Sequence, residues 1–194
     1  MAQEIINLGT VADDGTGDNL RVGGQKINDN FTELYGKRSG VFDYSDLGTS
    51  ASPISVTGGA GFVYLTNDEL GASTNKLYKP NGVTDVWNAA TNEFDFSELP
   101  LGSKIEIRLD LSVTTANNNT QVDAALDLGI GGSPYTLQWV DIFEKKAGVH
   151  SIVSTSFIYI GDTNTQNNPA KFKIESDLNT TVVVNGWACY IHLY

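Results

Sequence analysis

The sequence predicts a mainly β protein with one short α-helix near its N-terminus. Charged residues make up only 18% of the 194 residues, and glycine is abundant at 20. Together with many Asn, Ser and Thr residues, this composition is typical of short strands joined by turns. From Val41 onward apolar residues recur at every second position in short runs, whereas between residues 18 and 35 they recur at helical spacing.

The first element is an extended arm that leads into a loop. Ile5, Ile6 and Leu8 precede a dense run of turn-forming residues at 13–18. Close carboxylates such as Asp13, Asp14 and Asp18 would suit a calcium ion, but their spacing is not that of an EF-hand. We therefore favour a turn followed by a helix cap, and we predict no metal site.

The helix candidate spans residues 18–35. We expect Asp18 to cap its N-terminus and Gly36 to end it. Gly23 and Gly24 each weaken the helix by about 1 kcal/mol relative to alanine, so the helix needs a partner. Its apolar stripe consists of Leu20, Ile27, Phe31 and Leu34.

The remaining chain predicts a jelly-roll β-sandwich. Residues 105–113 and 122–130 both alternate between apolar and polar positions, and we expect them to form an antiparallel hairpin through Asn117–Asn119. Other candidate strands are 54–56, 62–66, 76–79, 84–87, 93–96, 135–139, 152–160, 171–174 and 181–194. Roughly eight to ten strands without helical crossovers favour a sandwich.

Three regions follow from these elements. We expect an arm and helix at 1–40, a linker at 41–52 and the jelly-roll domain at 53–194.

The C-terminal strand has two different faces. Trp187, Cys189, Ile191 and Leu193 share one face, which we assign to the sandwich interior. The other face carries Tyr190, His192 and Tyr194, whose rings and polar tips suit either an interface or a solvent-facing surface.

Charge and motifs exclude several functions. A net charge of −11 and a pI near 4.4 argue against nucleic-acid and anionic-membrane partners. His150 and His192 have no neighbouring ligand or catalytic residue in sequence, and the glycines form no phosphate-binding loop. We therefore expect neither an enzyme nor a cofactor. A glycan-cleaving enzyme stays an alternative, but no carboxylate pair can be named for it.

The N-terminal residues resemble a known family. The segments Ile6-Asn7-Leu8-Gly9, Asp14-Gly15-Thr16-Gly17-Asp18-Asn19-Leu20-Arg21 and Lys26-Ile27-Asn28-Asp29-Asn30-Phe31-Thr32-Glu33-Leu34-Tyr35 are similar to the N-terminal segment of tailed-bacteriophage virion proteins. That resemblance implies a segment that attaches a distal β-domain to the particle. The strand spacing of the β-domain resembles the trimeric jelly rolls of the tumour-necrosis-factor and complement-C1q type, which implies a homotrimer.

The resemblance also implies site residues. The attachment residues would be Asn7, Asp18, Arg21, Lys26, Ile27, Asn28, Asn30 and Phe31. The contacts between copies would be Leu20, Leu34, Tyr190, His192 and Tyr194. Asn28 and Asn30 are poor helix formers, so their amides should bond to something.

Our leading hypothesis is a trimeric capsid-decoration, cement or head-fibre protein of a phage. Its partners would be copies of itself and virion proteins such as the major capsid protein, and it would assemble in the cytoplasm of the bacterial host. A chain of 194 residues has little room for the long shaft of a typical tail fibre. The alternative is a tail-fibre or tail-tip module that binds a host surface glycan through loops 116–120 and 164–168, which are rich in hydrogen-bonding side chains.

Overall fold

The computed structural model describes residues 4–11 and 15–194, and only the backbone of residues 33–35. The chain divides into two compact units, Met1–Lys37 and Arg38–Tyr194.

The N-terminal unit contains one helix, α1, which spans Leu20–Tyr35. Asn19 is its N-cap, because the Asn19 side-chain oxygen accepts a hydrogen bond from the Val22 amide at 2.9 Å. The expected cap at Asp18 is therefore wrong by one residue, and the Asp18 carboxylate bonds elsewhere. The helix continues through Gly23 and Gly24, and Gly36 follows it as predicted.

The C-terminal unit is built from antiparallel strands and two short helices. The strands are β1 (Ser39–Ser45), β2 (Ile54–Val56), β3 (Val63–Tyr64), β4 (Trp87–Asn88), β5 (Glu93–Phe94), β6 (Lys104–Thr115), β7 (Thr120–Leu128), β8 (Tyr135–Glu144), β9 (Gly148–Tyr159), β10 (Lys171–Ser176) and β11 (Thr180–His192). The helices are α2 (Gly48–Ala51) and α3 (Thr163–Asn167). Among the described residues, no helix is both long and apolar enough to cross a membrane.

Two packed sheets form a jelly roll, as the sequence predicted. Sheet I has the order β1-β11-β6-β9, with β2 also paired to β11. Sheet II has the order β3-β10-β7-β8, and β4 and β5 form a separate pair. The chain passes from one sheet to the other several times, which is how a jelly roll joins its two layers.

Aromatic side chains fill the space between the sheets. The Trp187 ring lies 4.9 Å from Trp87, 5.7 Å from Phe94 and 5.6 Å from Phe172, measured between ring centroids. Trp187, Phe94 and Phe172 are each at most 1% exposed. Edge-to-face and tilted aromatic contacts of this kind add to the stabilisation that burial provides.

The predicted hairpin of residues 105–113 and 122–130 is wrong. Both segments are strands, but β6 pairs with β9 and β11 in sheet I, whereas β7 pairs with β8 and β10 in sheet II. Alternating residues predict a strand with one buried face. They do not specify whether the next strand pairs with it in the same sheet or lies in the opposite sheet. The turn at 116–119 therefore carries the chain across the sandwich.

The predicted linker at 41–52 is also wrong, because these residues belong to the β unit. Strand β1 pairs with β11 along its whole length, and α2 follows it. The boundary lies at Lys37 and Arg38 instead. Conversely, the candidate strand at 76–79 is a loop, which follows an isolated bridge between Asn75 and Asp43.

Candidate attachment and self-association surfaces

A salt bridge ties the N-terminal arm to α1. Lys26 Nζ lies 2.8 Å from Asp18 Oδ2 and also donates to the Ile5 carbonyl at 3.0 Å. The same Asp18 oxygen accepts from the Asn7 amide at 2.9 Å, and the Asp18 amide donates to the Asn7 carbonyl at 2.8 Å. The Lys26 and Asn7 hydrogen bonds hold the pKa of Asp18 below its usual value.

A second link between the arm and α1 is the Asn30 clamp, in which the Asn30 side chain bonds to both the backbone amide and the backbone carbonyl of one arm residue. Asn30 Oδ1 accepts from the Glu4 amide and Asn30 Nδ2 donates to the Glu4 carbonyl, each at 2.8 Å. The amide side chain therefore replaces a neighbouring strand for the Glu4 backbone. This pairing explains an asparagine in a helix where its propensity is poor.

Glycine at position 17 lets the arm approach the turn before α1. A Cβ atom there would lie 2.9 Å from both the Asn7 carbonyl oxygen and the Gly9 amide nitrogen. Such a contact would force the backbone apart. The Asn7 side chain closes the same region by donating to the Thr16 carbonyl at 2.9 Å.

Most of the apolar side chains that are described in this unit point outward. Leu20 is 94% exposed and Leu8 is 88% exposed, and Ile27 and Phe31 are about half exposed. Its described residues thus form polar bonds inside and leave most of their apolar groups outside, the reverse of a stable small domain. A unit of this size cannot bury enough surface alone, so its exterior is suited to a protein partner.

The predicted attachment residues separate into two groups. Asn7, Asp18, Lys26 and Asn30 are engaged within the unit, where they set the path of the arm. Arg21, Ile27, Asn28 and Phe31 lie on the exposed surface of α1. The Leu34 side chain lies outside the described residues, as do Asp13 and Asp14 of the calcium alternative.

The C-terminal strand is divided between interior and surface as the sequence predicted. Trp187, Cys189 and Ile191 are buried, whereas Tyr190 is 45% exposed and Tyr194 is 81% exposed. Complete burial raises the pKa of the Cys189 thiol, which makes it an unreactive core residue.

On the outward side of sheet I, strand β9 carries exposed apolar and aromatic residues that the sequence interpretation missed. Val153, Phe157 and Tyr159 on the edge strand β9 are each 56–61% exposed. In the strand register, Phe157 lies beside Glu106, which lies beside Tyr190, which lies beside Val41. The signal was present in sequence, because β9 has apolar residues on both of its faces.

We define the sheet I face as twelve of the outward residues of these strands. They are Val41, Asp43, Lys104, Glu106, Arg108, Asp110, Val153, Phe157, Tyr159, Ala188, Tyr190 and His192. Along β6 the charges alternate in sign. Burial raises the pKa of Asp43, and the positive charge of Arg108 partly offsets this effect.

A pocket of about 390 Å³ opens at the β1 edge of the sheet I face. Its walls come from β1 and from the loop that follows the Asp43–Asn75 bridge. The lining residues are Val41, Asp43, Ala72, Ser73, Thr74, Asn75 and Tyr78.

Both histidines contact polar side chains, and His150 Nε2 lies 2.9 Å from the Lys146 carbonyl oxygen and 3.3 Å from Thr115 Oγ1. His192 Nδ1 lies 2.7 Å from Ser39 Oγ, its partner across β1 and β11. His150 Nδ1 lies 2.9 Å from Glu144 Oε2. Within residues 4–11 and 15–194, no group of three or more His, Cys, Asp or Glu side chains is placed to hold a metal ion.

The loop proposed for glycan binding uses its amides internally. Asn164 accepts from the Ser133 amide and donates to the Ser133 carbonyl, both at 2.9 Å. Asn168 donates to the Asn164 carbonyl at 2.9 Å. These bonds shape the loop and occupy groups that the glycan hypothesis requires.

Sequence comparison identifies the family. Residues 3–124 match the family described as bacteriophage T4 gp9/10-like protein, N-terminal, and this match covers more than half of the chain. The chain belongs to this family. It is a phage virion structural protein of the T4 gp9/gp10 type, as the resemblance of the N-terminal segments implied.

One curated relative is baseplate wedge protein gp10 of Enterobacteria phage T4. The two sequences are 73% identical over 30 residues, which is 16% of this chain and 5% of the relative. The match therefore spans a small fraction of the relative's length.

Solved structures with a similar arrangement are viral capsid and cytokine proteins. A chain of infectious bursal disease virus, Gt strain, has a TM-score of 0.45 at 11% identity, over 81% of this chain and 33% of that chain. Eiger TNF from S. frugiperda has a TM-score of 0.39 at 8% identity, over 82% and 94%. These similarities are too low to bear on function, and the jelly-roll assignment stands on the strand order.

Proposed function

We propose that this protein is a component of the phage tail or baseplate that attaches to other virion proteins through its N-terminal unit. The observation that carries this proposal is the 73% identity with a baseplate wedge protein over 30 residues. The head location that we expected from sequence has less support, because the named relative belongs to a baseplate.

The N-terminal unit supports attachment by its construction. The Asp18–Lys26 salt bridge and the Asn30 clamp hold the arm against α1, while Ile5, Leu8 and Leu20 stay on the outside. Burial of such side chains against a partner contributes about 1.5–3 kcal/mol each. The polar residues therefore give the surface its shape, and the apolar residues supply affinity.

We also propose that copies associate as a homotrimer. Leu20 and Leu34 on α1 would contribute in the N-terminal unit, and Tyr190, His192 and Tyr194 in the β unit. A trimer would present several attachment units to the particle at once, which raises avidity without new contacts. The exposed aromatic residues of the sheet I face are suited to such a contact.

Attachment can be tested in the full chain by placing a charge on the exposed side of α1. The Ile27→Asp variant should bind purified tails or baseplates at least about tenfold more weakly, since it removes an aliphatic side chain that the partner would bury. Thr32→Asp is the matched control, because Thr32 is an exposed residue of the same helix and the change adds the same carboxylate.

Binding is best measured by co-sedimentation with tails, baseplates and isolated heads, each prepared without this protein. Binding to tails or baseplates that is lost in Ile27→Asp and kept in Thr32→Asp is the expected result. Binding to heads alone would contradict the tail location, and equal binding by both variants would contradict the role of α1.

A further inference from the structure

We propose that Phe157 of one copy inserts into the pocket at the β1 edge of the next copy, so that the β units close into a ring. This inference rests on the proposed self-association and names the two surfaces that meet. Phe157 is 61% exposed on β9, and the pocket of about 390 Å³ lies beside Val41 on β1.

The two surfaces lie at opposite edges of one sheet and at the same level along the strands. Phe157, Glu106, Tyr190 and Val41 are successive partners across β9, β6, β11 and β1. Neighbouring strands are about 4.8 Å apart, so Phe157 and Val41 of one copy are roughly 14 Å apart. A Phe157 side chain therefore cannot fill the pocket of its own chain.

Ring closure requires two different surfaces. In a head-to-tail interface each copy supplies one patch to the preceding copy and a second patch to the following copy. The projecting ring on β9 and the recess on β1 are such a pair. Since both lie at the same level, rotation about an axis along the strands brings them together without a shift.

Charge favours contact between β9 of one copy and the sheet I face of another copy over contact between other surfaces of the two copies. The whole chain has a net charge of −11, so most surfaces of two copies repel one another. On the sheet I face, Lys104 and Arg108 offset two of the three carboxylates of Asp43, Glu106 and Asp110. Strand β9 contains no carboxylate, lysine or arginine, so it can approach this nearly neutral face.

The chemistry of the pocket fits an aromatic ring. Val41 and Tyr78 supply apolar contact, and Asp43 lies at the same site with its carboxylate partly removed from water. The edge of an aromatic ring carries partial positive charge and is attracted to such a carboxylate.

Strand β9 is also an edge strand that needs cover. Twelve residues long, it carries neither lysine nor proline, the residues that commonly protect sheet edges. Its outward residues Val153, Phe157 and Tyr159 are exposed, and Thr155 lies between Val153 and Phe157 on the same side. Contact with a neighbouring copy would cover these residues.

Cysteine cross-linking in the full chain tests the contact. Chains carrying Val41→Cys and chains carrying Phe157→Cys, with different tags, are co-expressed, purified and treated with a short bismaleimide. A covalent dimer that contains both tags is expected. Cys189 is buried and unreactive, so background reaction should be low.

The matched control replaces Phe157→Cys by Phe143→Cys, since Phe143 is 56% exposed on β8. It should give little mixed dimer. Mixed dimer at an equal level with Phe143→Cys, or cross-linking of Phe157→Cys chains only to one another, would overturn the proposed contact.

The mass of the wild-type chain, measured by light scattering after size-exclusion chromatography, distinguishes a failure of the proposed self-association from a failure of the Val41–Phe157 contact. A multiple of the chain mass without the Val41–Phe157 cross-link would leave self-association standing and overturn this contact. A monomer at micromolar concentration would overturn both the proposed self-association and this inference.

Discussion

Lys26 of α1 and Asp18 at the turn before it form the bond that organises the N-terminal unit. Their charged groups are 2.8 Å apart, and through Asp18 the arm residue Asn7 is held as well. The bond lies on the inside of a unit in which most of the described apolar side chains are outside, so its effect on binding is indirect.

Replacing Lys26 by methionine should release the arm while keeping the helical propensity of the position. We expect faster amide hydrogen exchange at Asn7 and weaker binding to tails, because Asp18 would lose its cation and the Ile5 carbonyl its donor. Lys145→Met is the control, since it removes the same charge from an exposed turn of the β unit. Unchanged exchange at Asn7 would show that the arm is held by other bonds.

Gly17→Ala should disturb the same unit by a steric route. The added methyl group would lie 2.9 Å from the Asn7 carbonyl oxygen, closer than ordinary contacts allow. We expect the amide resonances of residues 7–9 to shift while those of sheet I stay unchanged. Gly24→Ala is the control, because a Cβ atom at Gly24 meets no described atom within 4 Å apart from the local helix backbone, and alanine favours the helix.

Trp187→Ala should strongly destabilise the β unit. Removal of a buried tryptophan typically costs about 3–5 kcal/mol of unfolding free energy. Trp187 packs against Trp87, Phe94 and Phe172 and is 1% exposed, so the loss should lie in that range. Leu77→Ala, at a side chain that is 77% exposed, should change stability by less than about 0.5 kcal/mol. Denaturant unfolding measures both.

Asp123 should reduce stability at neutral pH. It lies directly across from Asp141 on β8 and Glu175 on β10, and burial followed by interaction with Asp141 raises its pKa. A raised carboxyl pKa means that the folded state binds the proton more tightly. The contribution of Asp123 to stability is therefore greatest below about pH 3.9 and falls as the pH rises through the folded pKa. Asp123→Asn should therefore raise the unfolding free energy at pH 7 by up to about 1 kcal/mol.

Asp127 on the same strand is the matched comparison with the opposite sign. Burial alone would raise its pKa, but hydrogen bonds from Lys173 and Thr136 outweigh that effect and lower it. Its stabilisation is present above about pH 3.9 and is lost as the pH falls through the folded pKa. Asp127→Asn should thus destabilise at pH 7 by up to about 1 kcal/mol. Effects of the same sign for both variants would contradict this assignment.

Tyr190→Asp should weaken self-association if the sheet I face joins the copies. Tyr190 lies next to Glu106 in the register, so a new carboxylate there adds repulsion to the loss of an aromatic contact. We expect at least about tenfold weaker association, as for a central aromatic residue of an interface. Leu70→Asp adds the same charge at an exposed loop residue and should leave the mass in solution unchanged. A normal mass for Tyr190→Asp would remove this tyrosine from the interface.

Local patterns were sufficient where a single strand buries one face or a single helix carries one apolar stripe. The alternation of 105–113 and of 187–193 predicted both the strands and their buried residues, because side chains of a strand point alternately to two sides. The stripe of 20–34 likewise predicted α1, and the motifs around it predicted the phage family.

Pairing between strands could not be obtained in the same way. The sequence predicted that 105–113 and 122–130 form a hairpin, and the structure places them in different sheets. Both arrangements bury the same alternate residues, so only the packing of the whole sandwich distinguishes them. The same reason explains why 41–52 was predicted as a linker, because β1 gains its stability from β11, which is distant in sequence.

The sequence by itself determined the class of fold, the helix, the interior face of the last strand and the virion family. Each of these depends on residues close together in the chain. Only the tertiary structure decided that Lys26 and Asn30 bond to the arm and that Phe157, Tyr190 and Val41 share one row of sheet I. Such contacts join residues far apart in sequence, and their partners are set by the cooperative packing of the whole unit.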